Sequence, residues 1–179
     1  MKKLHPVLPF VFASAICGTA LLPENIRPYA QFGGMLFIPL LDRHWTLPFF
    51  THRAPNILAW TLLVLVEAVM LTARPDLIGF AIANFALAAF PEEWFFRSYL
   101  LVRLGGDLRA NIVSSLIFAF AHVLAFGSLA AAVVFVPSLL FGWVYQRTRD
   151  LALVVLLHAV ANMVNAMFPE WWHLLWLVR

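Results

Sequence analysis

The sequence predicts an all-α fold, a polytopic transmembrane bundle of six to eight helices. Three observations lead there. Of the 179 residues 63% are hydrophobic and only 12% are charged, with a mean hydropathy of +0.87, against roughly 45–50% apolar content in ordinary soluble domains. The apolar residues run continuously rather than alternating, which excludes the strands of a membrane barrel. A backbone exposed to lipid must satisfy its own hydrogen bonds, which leaves helices. The intervening loops are too short to hold a separate soluble domain, so residues 1–179 are expected to form one integral membrane domain.

The first apolar segment, about 7–22, follows Met1-Lys-Lys and contains Ala13-Ser-Ala15, a pattern that imitates a cleavable signal peptide. Pro6 and Pro9 shorten its apolar core, and Ile16 is too bulky for a lipoprotein signal ending at Cys17, so a retained first helix is expected. Segments at about 30–41 and 56–73 follow. The third carries Glu67 at mid-length, expected as a protonated, hydrogen-bonded contact between helices. Segments at about 77–104, 111–126, 128–145 and 151–168 complete the bundle, and Trp171, Trp172 and Trp176 are expected to form an interfacial aromatic belt. Several segments fall short of the ~20 residues that span a bilayer comfortably, so re-entrant or interfacial pieces are expected.

Charge sets the orientation. With a cytoplasmic N-terminus, Lys2, Lys3, Arg43, Arg53, Arg103, Arg109, Arg147 and Arg149 all fall on the inner side, with Arg27 and Arg74 opposite. The net charge of +3 includes no basic tract for nucleic acid, and the single cysteine has no partner for a disulfide or a metal.

Chemistry concentrates in three of the segments. Glu92, Glu93 and Arg97 lie inside the apolar run Ala88-Ala-Phe-Pro-Glu-Glu-Trp-Phe-Phe-Arg97, where each charge costs roughly 2.5–3.5 kcal/mol at mid-bilayer. Residues four apart share a helix face, so Glu93 is expected to pair with Arg97 while Glu92, about 100° away, points elsewhere. Phe118 with His122, and His158 with Asn162, share faces in the same way. At ~1.5 Å per residue, Glu92 lies roughly 18 Å from the cytoplasmic ends of the segments, His122 roughly 16 Å, His158 roughly 10 Å and Asn162 roughly 16 Å. One polar layer is therefore expected.

A carboxylate and an imidazole in a site of restricted water can hold and deprotonate a water molecule, a role assigned to Glu92 with His122. His158 and the Asn162 amide suit a developing oxyanion. Glu93 and Arg97 are expected to hold the helix in place, and Phe118 to set the rotamer of His122. A Glu–Arg pair or a lone histidine is more often a structural contact between membrane helices. The free carboxylate beside the pair has no such use.

Glu-Glu-Trp-Phe-Phe-Arg-Ser at 92–98, Ser-Leu-Ile-Phe-Ala-Phe-Ala-His at 115–122 and His-Ala-Val-Ala-Asn at 158–162 resemble the ordered motifs EExxxR, FxxxH and HxxxN of the CPBP family. This is the CAAX protease and bacteriocin-processing, or Abi, group of intramembrane endopeptidases. Phe141-Gly-Trp-Val-Tyr-Gln-Arg-Thr148 resembles the stretch before the last motif, and the likeness covers about 85–165. It implies cleavage of a peptide bond near the C-terminal or leader segment of a membrane-anchored or lipidated protein. It implies Glu92 as the essential carboxylate, with His122, His158 and Asn162 beside it and no cofactor. Compact size and short loops point to a bacterial inner membrane.

Two alternatives stay open. One is a zinc metalloprotease on the same fold, with Glu92, His122 and His158 as ligands and one open position. The other is a non-catalytic membrane protein that uses the polar layer for binding or transport. No HExxH is present for a zinc helix of the other intramembrane type. Asp42, Asp76, Asp107 and Asp150 sit at segment ends rather than inside helices, and Ser115 lacks a nucleophile motif.

Overall fold

The computed structural model describes residues 7–46 and 54–168. Lys2, Lys3, Arg53 and the belt of Trp171, Trp172 and Trp176 lie outside the described residues. Among those described the chain forms seven helices and no strand, within the six to eight expected. Helix α1 is Leu8–Thr19, and α2 is Arg27–Phe37, prolonged by a 3₁₀ turn at Ile38–Leu41. Helix α3 is Ala54–Ala73, and α4 covers residues 78–101 after a 3₁₀ turn at Pro75–Leu77. Helix α5 is Leu108–Phe126; α6 is Phe135–Thr148, entered through a 3₁₀ stretch at Leu129–Val134; α7 is Leu151–Met167. Asn56–Ala73, Leu108–Phe126 and Leu129–Thr148 are long and apolar enough to cross a membrane, whereas Leu8–Thr19 and Leu151–Met167 are apolar but shorter.

Helix α4 forms the centre. On one side its Phe95, Phe96, Tyr99 and Leu100 are buried against Ala13 and Ile16 of α1, Met35 of α2 and Phe118 of α5. On the other, Ala89 and Leu101 pack with Tyr145 of α6 and with Leu151, Val154 and Ala159 of α7. Cys17 is buried on α1. The outer surface is apolar too: Leu58, Leu62, Leu65 and Val69 of α3 are exposed, as suits a helix bathed in acyl chains.

Helix α4 is not uniform. Pro91 lacks the N–H that would bond four residues back, and its ring crowds that carbonyl. The chain accommodates it by widening into a π-helix over Asn84–Ala89, tightening to α over Phe90–Glu93, and widening again over Trp94–Leu101. Such π segments inside helices are frequent at functional sites.

The aspartates at segment ends have structural work. Asp107 caps α5 by accepting from the Ala110 N–H at 2.8 Å, and Asp150 caps α7 by accepting from the Leu153 N–H at 3.1 Å. Asp150 also accepts from the Asn56 amide at 3.0 Å, which ties α3 to α7. Asp42 receives Arg103 at 2.6 Å and the Tyr99 hydroxyl at 3.2 Å. Burial alone would push the Asp42 carboxyl up, but hydrogen bonds from the His44 N–H, Arg103 and Tyr99 outweigh it and hold the group below the usual carboxylate range. Helices α5 and α6 cross closely at Gly142, where an added Cβ would lie 1.8 Å from Asn111 Oδ1. The Asn111 amide donates to the Leu139 carbonyl at 3.0 Å across the same crossing.

Candidate active site

The site grows from the α turn between the two π segments. The second of its two glutamates, Glu93, is fully buried, and Arg97, equally buried, donates from Nε to Glu93 Oε2 at 2.9 Å. The expected pairing is therefore present. A second Arg97 nitrogen donates to Ser138 Oγ of α6 at 2.9 Å, and the guanidinium lies 5.5 Å from the centre of the Phe118 ring. Both charges are thus tied across three helices.

His158 of α7 completes this group from the far side. Its Nδ1 lies 2.9 Å from Glu93 Oε1, and its Nε2 lies 3.7 Å from Glu92 Oε2. Glu93 already accepts from Arg97 as a carboxylate, so the His158 Nδ1 carries a proton and donates. Glu92 stays out of the Glu93–Arg97 pair, as expected, and lines a cavity. It faces the same imidazole as Glu93, and the separation of 3.7 Å exceeds a direct hydrogen bond. One ring thus stands between two carboxylates.

The second histidine is held differently. His122 Nδ1 lies 3.0 Å from the Phe118 carbonyl, which can only accept, so Nδ1 carries the proton and Nε2 of the neutral ring keeps its lone pair. The rings of Phe118 and His122 stack at 4.3 Å between centres. Phe118 also meets His158 edge-on at 6.3 Å, and Phe141 of α6 covers His158 at 5.2 Å.

Asn162 is braced against α4. Its amide donates to Asn84 Oδ1 of α4 at 2.8 Å, while the Asn84 amide donates to the Ala159 carbonyl at 3.0 Å. One Asn162 N–H is left over. The sequence reading passed over Asn84 and Ser138, although each is a polar residue stranded in an apolar segment, the same signal that picked out Glu92.

Glu92, Phe118, His122, His158 and Asn162 all line one cavity of about 640 Å³ between α4, α5, α6 and α7. Its remaining walls are largely apolar, including Phe80, Val134 and Phe141. Glu93 and Arg97 sit behind it. Among the described residues no three His, Cys, Asp or Glu side chains stand together in an arrangement that holds a metal. Elsewhere, Glu67 of α3 has its Oε2 buried without a hydrogen bond among the described residues, where a contact between helices was expected. Ser115 contacts Asn111 Oδ1 at 3.4 Å.

A buried carboxylate–imidazole cluster thus lies within an all-helical bundle in which, among the described residues, three helices are long and apolar enough to cross a membrane. A family model described as type II CAAX prenyl endopeptidase, Rce1-like, matches residues 74–164, just over half of the chain. The chain belongs to this family, and is an integral membrane protein of endopeptidase type. Comparison with curated proteins and with solved structures yields no match.

Proposed function

We propose that this protein is a glutamate-dependent intramembrane endopeptidase that cleaves a peptide bond near the C-terminal or leader segment of a membrane-anchored or lipidated protein. The observation that carries the reading is the meeting of Glu92, His122, His158 and Asn162 at one largely apolar cavity. Attack on an amide needs a base, a held water and donors for the oxyanion, in a place from which bulk water is kept out.

In the proposed reaction a water stands between Glu92 and the His122 Nε2 lone pair. Two carboxylates against one guanidinium leave one negative charge, which His158 balances when both its nitrogens are protonated. Glu92 takes a proton from the water as the water oxygen bonds to the carbonyl carbon. The oxyanion then receives the spare Asn162 N–H and the His158 Nε2–H that the neutralised Glu92 has released. As the intermediate collapses, the C–N bond breaks and Glu92 returns its proton to the leaving amine. Glu93 keeps His158 oriented throughout, and Arg97 holds Glu93 in place.

The test uses the purified chain in detergent or proteoliposomes and a farnesylated peptide ending in a CAAX sequence. The variant Glu92→Gln, correctly inserted, is expected to lose at least about a hundredfold in kcat, within the usual contribution of a general base. Cleavage at the wild-type rate would sink the reading. We further propose a bacterial inner membrane, from the compact chain and its short loops, and a cytoplasmic N-terminus, from the distribution of Lys and Arg. A reporter fused at the N-terminus should be active only in its cytoplasmic form; the opposite result reverses the topology.

A further inference from the structure

A protease buried among apolar helices must be supplied with water as well as peptide. The large cavity is poorly suited to do both, since its walls are mostly apolar and a seated substrate would fill them. A second, smaller cavity of about 140 Å³ borders the same catalytic wall. Glu92, Phe118, His122 and Phe126 line both spaces. The large one is completed by α6 and α7, whereas the small one is completed by Ile16 of α1 and by Gln31 and Met35 of α2.

Gln31 is the feature that gives the small cavity its chemistry. It is half-buried, it belongs to a helix outside the matched family region, and no hydrogen bond engages its amide among the described residues. Three polar groups therefore face one space: the Gln31 amide, the Glu92 carboxylate and the His122 imidazole, whose Nδ1 is spent on the Phe118 carbonyl so that Nε2 is the nitrogen left over. A buried water needs two to four polar partners and only ~10–15 Å³ of such space. Both conditions are met. The other walls, Ile16, Met35 and Phe96, offer nothing polar that would draw water away from that corner.

We infer that the small cavity is the water site of this enzyme, and that Gln31 is a positioning residue that holds the nucleophilic water against Glu92 and His122 while the peptide occupies the large cavity. The inference rests on the endopeptidase reading above. It gives α1 and α2 a part in the reaction: they close the water side of the site, and the motif-bearing helices close the substrate side. The amide suits the task because it donates and accepts at once without bringing a charge beside Glu92.

The first arm of the test needs no substrate. Met35 is 6% exposed, so pulsed hydroxyl-radical footprinting of the full chain in detergent oxidises it quickly only if water stands beside it. Rapid oxidation is expected in the wild type, falling at least about threefold in Gln31→Leu as the cavity loses a polar partner. A wild-type Met35 that stays unlabelled, or one labelled equally in the variant, overturns the proposal.

The second arm uses the farnesylated peptide. Gln31→Leu should lower kcat by about tenfold or more with KM nearly unchanged, the signature of an interaction made in the reacting complex. Gln31→Glu places a second carboxylate on the water and should move the acid limb of the kcat profile to higher pH, which loss of packing alone would not do. A wild-type kcat in Gln31→Leu, or an unmoved limb in Gln31→Glu, counts against the water site. Glu92→Gln run in parallel separates the two readings. If that variant is active, the proteolytic assignment falls; if it is dead while Gln31→Leu cleaves normally, only the water site falls.

Discussion

At the scale of single residues, the site separates groups that hold the fold from groups that face the cavity. Glu93 and Arg97 are fully buried and bonded to each other, to His158 and to Ser138, whereas the Glu92 side chain keeps 18% of its surface and makes no hydrogen bond among the described residues. Removing one member of a buried pair leaves the other charge uncompensated. Arg97→Met is therefore expected to cost about 3–5 kcal/mol, read as a large fall in the thermal unfolding temperature in detergent. Glu92→Gln should leave that temperature almost unchanged. The Glu93–Arg97 contact was legible because it is local: two side chains four apart on one helix need no knowledge of the tertiary fold. The partners of Arg97 and Asn162 were not, because Ser138 and Asn84 lie on other helices. Depth along a helix can be counted from sequence, but the direction a ring faces cannot. The place of the His158 ring between the two glutamates is one such direction.

At the scale of elements, the helices from 77 onward follow the apolar runs closely, since each run is bounded by a capping Asp or a glycine turn. The left-handed Gly127 that ends α5 is one such stop. The start of α2 was less legible. Arg27, read as a loop charge, instead opens the helix beside Pro28, and its guanidinium donates to the Leu22 and Ala125 carbonyls at 3.2 and 2.9 Å. The π segments of α4 also escaped, because apolar periodicity cannot distinguish a locally widened helix from a regular one in a stretch that is apolar on all sides. The crossing of α5 on α6 yields a sharp expectation. A methyl group at Gly142 would overlap the Asn111 side chain, so Gly142→Ala should destabilise by about 1–3 kcal/mol, as overpacking does. Thermal unfolding should show the loss, and Gly142→Ala combined with Asn111→Ala should recover part of it.

At the scale of the whole molecule, the bundle gathers Glu92, His122, His158 and Asn162 at one cavity between four helices. In the reaction proposed above Glu92 acts as the base without a metal, and no group of three ligands stands together among the described residues. Peptide cleavage is accordingly expected to survive exhaustive dialysis against a chelator with less than about a twofold change in kcat. A loss restored by added zinc would instead favour a metal-dependent reaction at the same residues. The overall class was readable because composition alone forces helices on a chain this apolar. The lateral arrangement of those helices was not, because every face is oily and no single stripe marks the inward side.

The lone thiol has a practical consequence. Cys17 is packed into α1 beneath its neighbours and has no disulfide partner, so the native chain comes close to being a blank background for probes. Pairs of engineered cysteines on α2 and α7 can be spin-labelled without first stripping out a reactive native site. Distances between such labels, taken with and without peptide, would report directly whether the two walls of the enzyme draw together during turnover.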